Sequence, residues 1–413
     1  MVAFRWPNIW IMLERACVTQ CTLPSTLGQE SPNERLAHET LRDIVQCAEK
    51  EHIPLLLLAG PLTAADHRYV KAVQNTEHTW LVPATHELPD DERYVPVIPQ
   101  DAASQPFSHQ GVVTVKYNFS DAAKLRETLA GLAEKGLKRV NLAMEDLMTL
   151  EEKDIAQYRE LLLDLAYFVT ESLVKGKAME VDVLTDRLVL DRMNNCSAGE
   201  SHITVGPDGL VYACPAFYWA QGQSFDCIRP EDFCYGSFAG SHEIAEKKNI
   251  GLLHFRRAPI CQACDAYQCN RCVYMGWRKT LEACVPSRIQ CLVATAERNA
   301  SKALLQMLED NDIELKGTTS IPPLKYDDPF DYCKTSGFPA PGHVRRPAQP
   351  AQNEATAPPT AARSGNGIHR ELRELKDQVR QITRRIAELE KTVSSPASNH
   401  DDKGHRISQG DKR

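Results

Sequence analysis

Apolar residues in the first 190 positions gather in short runs, with longer stretches of helical spacing between them. The strand-like runs are Ile9–Leu13, Pro54–Leu58, Thr79–Pro83, Val112–Tyr117, Arg139–Leu142 and Met179–Leu184. The helix-like stretches are Asn33–Glu51, Ala64–Gln74, Ser120–Lys135 and Leu150–Val174. Ser120 and Asp121 are the residue types that cap the third of these at its N-terminus. Strand–helix alternation predicts an α/β domain over residues 1–190 with a largely parallel sheet. Six strands make either a degenerate partial (β/α) barrel or an open parallel sheet, and periodicity does not separate the two.

Residues 191–310 break this rhythm, with turn chemistry dominant and little helix before about Arg288. His202–Val205 and Leu210–Ala213 are strand-like and flank Gly206-Pro207-Asp208-Gly209. Asp-Gly between two such runs predicts a hairpin, because glycine tolerates positive φ. The same turn accounts for Asp208 without a catalytic role. Apolar spacing over Ile289–Leu308 predicts a closing helix. After a short extension, 311–333, residues 334–368 are rich in Pro, Ala, Gly and Ser and read as a disordered linker.

A heptad pattern occupies 369–394. Leu372, Val379, Ile386 and Val393 fill one seam position, and Leu375, Ile382 and Leu389 the other. β-Branched residues mostly at a, with Leu mostly at d, favour a parallel two-stranded coil in which Arg385 pairs with Glu390. A homodimer through this helix and a single amphipathic helix docked on the body are the two readings. Residues 395–413 read as a disordered tail.

Composition narrows the classes. The 413 residues are 42% hydrophobic, enough for two or three domain cores. A net charge of −7 provides no global basic field for nucleic acid or an anionic membrane. The longest apolar run, around Ile53–Gly60, is far short of the ~20 residues of a spanning helix. Met1–Trp10 lacks a signal-peptide pattern, so a cytoplasmic protein is expected.

Fourteen cysteines change the picture. Cys17, Cys21 and Cys47 come early, then none for nearly 150 residues, then ten between Cys196 and Cys291. In a reducing compartment such density favours metal ligation over disulfides. The order is Cys196, Cys214, then Cys261-x2-Cys264-x4-Cys269-x2-Cys272, then Cys291 after a gap of 18 residues. A Cys-x2-Cys pair chelates one metal while backbone N–H groups turn toward its sulfurs. Seven thiols exceed the four of one tetrahedral zinc site and suit two iron–sulfur clusters, with zinc as the alternative. His202 is read as a packed structural histidine before a ligand. Arg271 either tunes a cluster by its charge or is exposed. Tyr218, Trp219, Tyr267, Tyr274 and Trp277 are read as covering clusters from water.

These cysteines resemble the SPASM domain, the auxiliary-cluster module of radical SAM peptide-modifying enzymes. The family order is a cysteine, Gly-x4-Cys, a tight four-cysteine group and a last cysteine. Here Cys196, Gly209 through Cys214, Cys261 through Cys272, and Cys291 follow it, with the last two gaps of the four-cysteine group each one residue shorter. Leu184-Thr185-Asp186-Arg187, Asn194 through Gly199, Cys214 through Tyr218, Ala258 through Cys261, Pro286-Ser287 and Glu297 through Ser301 are further similar to the CXXX repeat peptide maturase family. The likeness is dense over about Glu180–Leu305. It implies one 4Fe–4S cluster on Cys261, Cys264, Cys269 and Cys291, and another on Cys196, Cys214 and Cys272. The fourth site of the second is then open, or filled by Cys227 or Cys234. It also implies maturation of a ribosomal cysteine-repeat precursor peptide.

The resemblance has a gap. Radical SAM chemistry needs Cys-x3-Cys-x2-Cys after the first strand, and here Cys17-x3-Cys21 is followed by Pro24, which has no ligand atom. Ala59-Gly60-Pro61-Leu62 lacks the acidic residue of the usual Gly-Gly-Glu motif. A SAM site therefore cannot be argued, and Cys17 and Cys21 read as buried unliganded thiols. Three roles stay open: a peptide-maturation enzyme or subunit, a non-catalytic iron–sulfur scaffold for a separate modification enzyme, and a zinc-binding adaptor.

Overall fold

Strands buried on both faces read as unbroken apolar runs, and Leu55–Leu58 is one. In the computed structural model it forms β2, parallel to β1 (Asn8–Met12) with Ile9 opposite Leu55. The structure describes residues 7–23, 34–63, 66–84, 91–104, 109, 111–177, 179–190, 194–196, 198–222, 229–238, 253, 258, 261, 264, 266–269, 271–315 and 318. These lie in one unit, Met1–Phe338, and a second unit, Pro339–Arg413, has no described residue. The linker, the heptad segment, the tail, Pro24 and Cys227 thus lie outside the described residues.

After β2 come β3 (His78–Pro83), β4 (Tyr94–Pro99), β5 (Val112–Tyr117), β6 (Arg139–Met144) and β7 (Glu180–Val181). The helices of this part are α1 (His38–Glu51), α2 (His67–Val73), α3 (Leu125–Glu134), α4 (Asp154–Val174) and α5 (Asp182–Thr185). Then follow β8 (Asn194–Asn195), β9 (His202–Val205), β10 (Leu210–Tyr212), α6 (Pro215–Trp219), β11 (Cys234–Ser237) and β12 (Gln268–Cys269). Two helices, α7 (Val273–Thr280) and α8 (Arg288–Asp310), close the described chain.

The main sheet has ten strands in the order β11-β10-β9-β1-β2-β3-β4-β5-β6-β7. It is parallel from β9 through β7, with β10 and β11 added antiparallel at one edge. Strands β1 to β7 succeed one another without the reversal of a doubly wound sheet, as in part of a (β/α) barrel. Its two edges stay apart, so among the described residues the sheet is open. No described helix is long and apolar enough to cross a membrane.

Four local expectations are corrected. Strand β4 is unforeseen, because Pro96 argues against a central strand; here it sits opposite Val82 within the parallel ladder. The run Met179–Leu184 gives only a two-residue strand, because the Asp182 carboxylate accepts from Val183 N (2.8 Å) and Leu142 N (2.9 Å) and turns the chain into α5. Ser120 and Asp121 do not cap. A 3-10 turn, Phe119–Lys124, precedes α3, and the Asp146 carboxylate accepts from Phe119 N at 2.9 Å. Helices α6 and α7 occupy a segment expected to be poor in helix.

The hairpin forms as expected, with Gly209 at φ +75°. Asp208 accepts from Leu210 N (3.0 Å) and from the Tyr212 hydroxyl (2.5 Å), so it holds the turn. Through β9 the cysteine-rich segment shares a core with the first strands: Ile9, Ile11, Leu57, Trp80, Phe217 and Trp277 belong to one buried cluster. Helix α8 packs along α4 in a second cluster, where Leu162, Leu165 and Leu304 meet.

Two segments that carry the resemblance are joined in this second core. Arg187 Nη2 reaches Glu297 Oε2 at 2.5 Å, and the Tyr158 hydroxyl donates to Glu297 Oε1 at 2.9 Å. Both charged side chains are 2% exposed. Burial raises the Glu297 carboxyl and Arg187 opposes that rise. Removing one member leaves the other charge buried, so Glu297→Ala should cost about 3–5 kcal/mol in chemical denaturation. The double replacement Arg187→Met, Glu297→Leu should cost clearly less.

Asp182 offers a pH test. Burial lifts its carboxyl from 3.8 to about 7, against the two N–H bonds that favour its charged form. A raised folded value means this group supports the fold fully at low pH, and that support fades as pH rises through about 7. Thermal unfolding between about pH 4 and pH 8 should show this loss in the wild type and not in Asp182→Asn.

Candidate metal centre

The loop after β1 leaves the carboxyl ends of the parallel strands, where α/β sheets collect functional groups. Val18 N donates to Ala59 O (3.1 Å), and Lys116 Nζ on β5 donates to Leu23 O (2.7 Å). These bonds fix residues 17–23 over the sheet. A Cβ at Gly60 would fall 1.9 Å from Glu14 Oε1, so the Glu14 carboxylate packs closely over that glycine. Thr22 Oγ1 stands 4.0 Å from Met275 Sδ in α7, the helix whose N-cap is Cys272.

The other cysteines arrive from three directions. Strand β8 pairs parallel with β12, Asn195 opposite Cys269, which sets Cys196 next to the end of β12. Cys214 ends the hairpin and is the N-cap of α6. Cys291 lies in the first turn of α8, which packs against β12. Ser287 caps that helix in a capping box with Gln290, whose Nε2 donates to Cys272 O at 3.1 Å.

Two groups of thiols result. Ionisation of Cys214 is opposed first by burial, then by Cys272, Cys196 and Cys21. Burial, Cys196 and Cys21 push Cys272 up to about 12, and burial and Cys196 push Cys21 to about 12. In the second group, burial with Cys264 and Cys261 raises Cys269 to about 12. Burial raises Cys261 to about 11, with Arg271 opposing and Cys264 and Cys284 reinforcing. Cys234 opens β11, opposite Tyr212. Among the described residues no three His, Cys, Asp or Glu side chains converge as they would on one metal ion. A cluster spreads its thiolates over separate irons, so its ligands stand wider apart than donors to a single ion.

Arg271 is not exposed; it is 1% accessible. Its guanidinium donates to the carbonyls of Leu253 (3.0 Å), Cys284 (3.4 Å) and Ala283 (3.5 Å). No carboxylate among the described residues pairs with it. Its charge favours the thiolates of Cys196 and Cys261, one from each group. Lys116, 4% exposed and 3.3 Å from Glu145, acts likewise on Cys21 and Cys17.

A cavity of about 310 Å³ adjoins the first group, lined by Trp10, Cys21, Thr114, Asn141, Asp182, Cys196 and Cys272 among others. Thr114 and Asn141 sit opposite each other on β5 and β6. Thr114 Oγ1 and Asn141 Oδ1 are buried there without a hydrogen-bond partner, which marks a place for a bound group. His202 stacks on Trp10 at 4.1 Å, and burial lowers it to about 4, so it is a neutral, packed ring. Tyr218, Trp219, Tyr274 and Trp277 are buried, and Tyr267 is half-buried. Trp219 Nε1 donates to Arg15 O at 2.9 Å and the Tyr218 hydroxyl to Glu34 at 3.0 Å, so their polar ends bind the N-terminal loops.

Sequence reasoning did not anticipate Cys21 beside Cys196, Cys214 and Cys272, nor Asp182, Thr114 and Asn141 around the cavity. The position of Cys21 just past a strand's carboxyl end was the one available signal.

No family model matches the chain, and no curated protein matches it. Among solved structures, the chain is similar to anSMEcpe with bound AdoMet, at 11% identity and a TM-score of 0.47, over 74% of this chain and 94% of that one. It is similar to anSMEcpe with bound AdoMet and Cp18Cys peptide, at 12% identity and a TM-score of 0.46, over 74% and 97%. It is also similar to Streptococcus suis SuiB bound to precursor peptide SuiA, at 11% identity and a TM-score of 0.38, over 54% and 62%.

Proposed function

We propose that the chain takes part, in the cytoplasm, in maturation of a ribosomally synthesised cysteine-repeat (CXXX) precursor peptide. Residues 191–310 act as a SPASM-like domain with two 4Fe–4S clusters, and this domain binds the precursor. Cys261, Cys264, Cys269 and Cys291 hold one cluster; Cys196, Cys214 and Cys272 hold the other. The peptide assignment rests on the sequence resemblance. The cluster assignment is carried by one observation: two groups of buried and half-buried thiols lie around a buried guanidinium, Arg271, that pairs with no carboxylate among the described residues. A buried cation needs a negative partner, and thiolate-ligated iron–sulfur clusters are anionic.

When bound, the clusters would supply electron transfer or Lewis-acid binding of a peptide thiolate. The chain's own residues place the thiols, keep water out through Phe217, Tyr274 and Trp277, and set the local charge through Arg271.

Titrating the anaerobically purified, reduced protein with precursor peptide tests this reading by EPR. The expected result is a change in one cluster signal, with a modified peptide detected by mass spectrometry. Clusters with an altered signal and an unmodified peptide would indicate a scaffold that serves a separate enzyme; zinc without iron would sink the cluster assignment. The segment 369–394 is assigned to homodimer formation. Deleting residues 334–413 should halve the mass seen by light scattering and leave the metal content unchanged.

A further inference from the structure

The resemblance gives the second cluster three thiols, Cys196, Cys214 and Cys272, and so leaves one iron for a further ligand. Cys234 opens β11, opposite Tyr212. The loop after β1 brings a different candidate. Cys21 lines the same cavity as Cys196 and Cys272, and Thr22 next to it touches the first turn of the helix that Cys272 caps.

We infer that Cys21, from the N-terminal α/β part, is the fourth protein ligand of the cluster on Cys196, Cys214 and Cys272. The placement of these residues supports the assignment. Cys21, Cys196 and Cys272 wall one cavity, and Thr22 Oγ1 reaches Met275 Sδ in the helix that Cys272 caps. The bonds Val18 N to Ala59 O and Lys116 Nζ to Leu23 O hold the loop on both sides of Cys21, and Cys21 N itself donates to Thr19 Oγ1 at 3.3 Å. Cys17 does not line the cavity, so it is not part of the set.

On loading, the Cys21 thiol gives its proton to solvent and its thiolate binds the fourth iron. No electron moves, and any exogenous ligand on that iron leaves. The cluster would then be held by four protein thiolates, one from the loop after β1 and three from residues 191–310. A substrate thiolate can bind it only by displacing one of them.

The inference rests on the cluster reading above, and one experiment separates the two. Iron and acid-labile sulfide are measured in anaerobically purified full-length wild type, Cys17→Ala and Cys21→Ala, with EPR of oxidised and reduced samples. Wild type and Cys17→Ala should each hold about eight irons. Cys21→Ala should fall about twofold, to about four irons, or keep about seven with a new three-iron signal when oxidised. About eight irons and unchanged spectra in Cys21→Ala would overturn the role of Cys21 and leave the two-cluster reading standing. A wild type without iron would overturn both. If Cys21→Ala does not fold, Cys21→Ser replaces it: an altered signal from one cluster is expected, and spectra identical to wild type would contradict the assignment.

Discussion

The parallel pairing of β1 with β9 is the constraint on which the rest of the structure depends. Asn8 through Ile11 lie opposite His202 through Val205, across nearly 200 residues of sequence. That register carries the hairpin onto the edge of the α/β sheet. With the hairpin come Cys196 before it and Cys214 after it, close to the loop that follows β1. Trp10 stacking on His202 locks the same junction from the side. The pairing also joins the large aromatics Phe217, Tyr274 and Trp277 to Ile9, Ile11 and Leu57 in one buried cluster.

Charge sets the second condition. Burial, the first cause, and neighbouring thiols push Cys214, Cys272, Cys269 and Cys261 up, which favours their neutral form. Arg271 is costly in such a place unless something negative joins it. Among the described residues its guanidinium is met by the carbonyls of Leu253, Ala283 and Cys284, with Cys196 and Cys261 close enough to feel its charge. Lys116 repeats the pattern at the N-terminal loop, although Glu145 shares its charge.

Most of the fold was legible in the sequence because parallel strands leave a strong signal. Runs such as Leu55–Leu58 and Val112–Tyr117 are apolar, short and separated by helical spacing. Pro96 hid β4, since proline breaks the rule for central strands while its fixed φ still fits an extended chain. Asp182 hid α5, because a side chain bonding to backbone N–H groups leaves no periodic trace. The cysteine spacing pointed to a metal segment, but spacing along the chain says nothing about neighbours across it. That Cys21 shares a cavity wall with Cys196 and Cys272 was not legible for that reason: tertiary contacts bring the three together. Arg271 was equally opaque, because burial of a charged residue follows from the carbonyls that enclose it.

Acid-labile sulfide and iron per chain, measured on anaerobically purified full-length protein, test the central claim most directly. About eight of each would agree with two 4Fe–4S clusters held by the buried thiols. One or two zinc ions per chain with no sulfide would contradict it and leave these cysteines as a structural binding module.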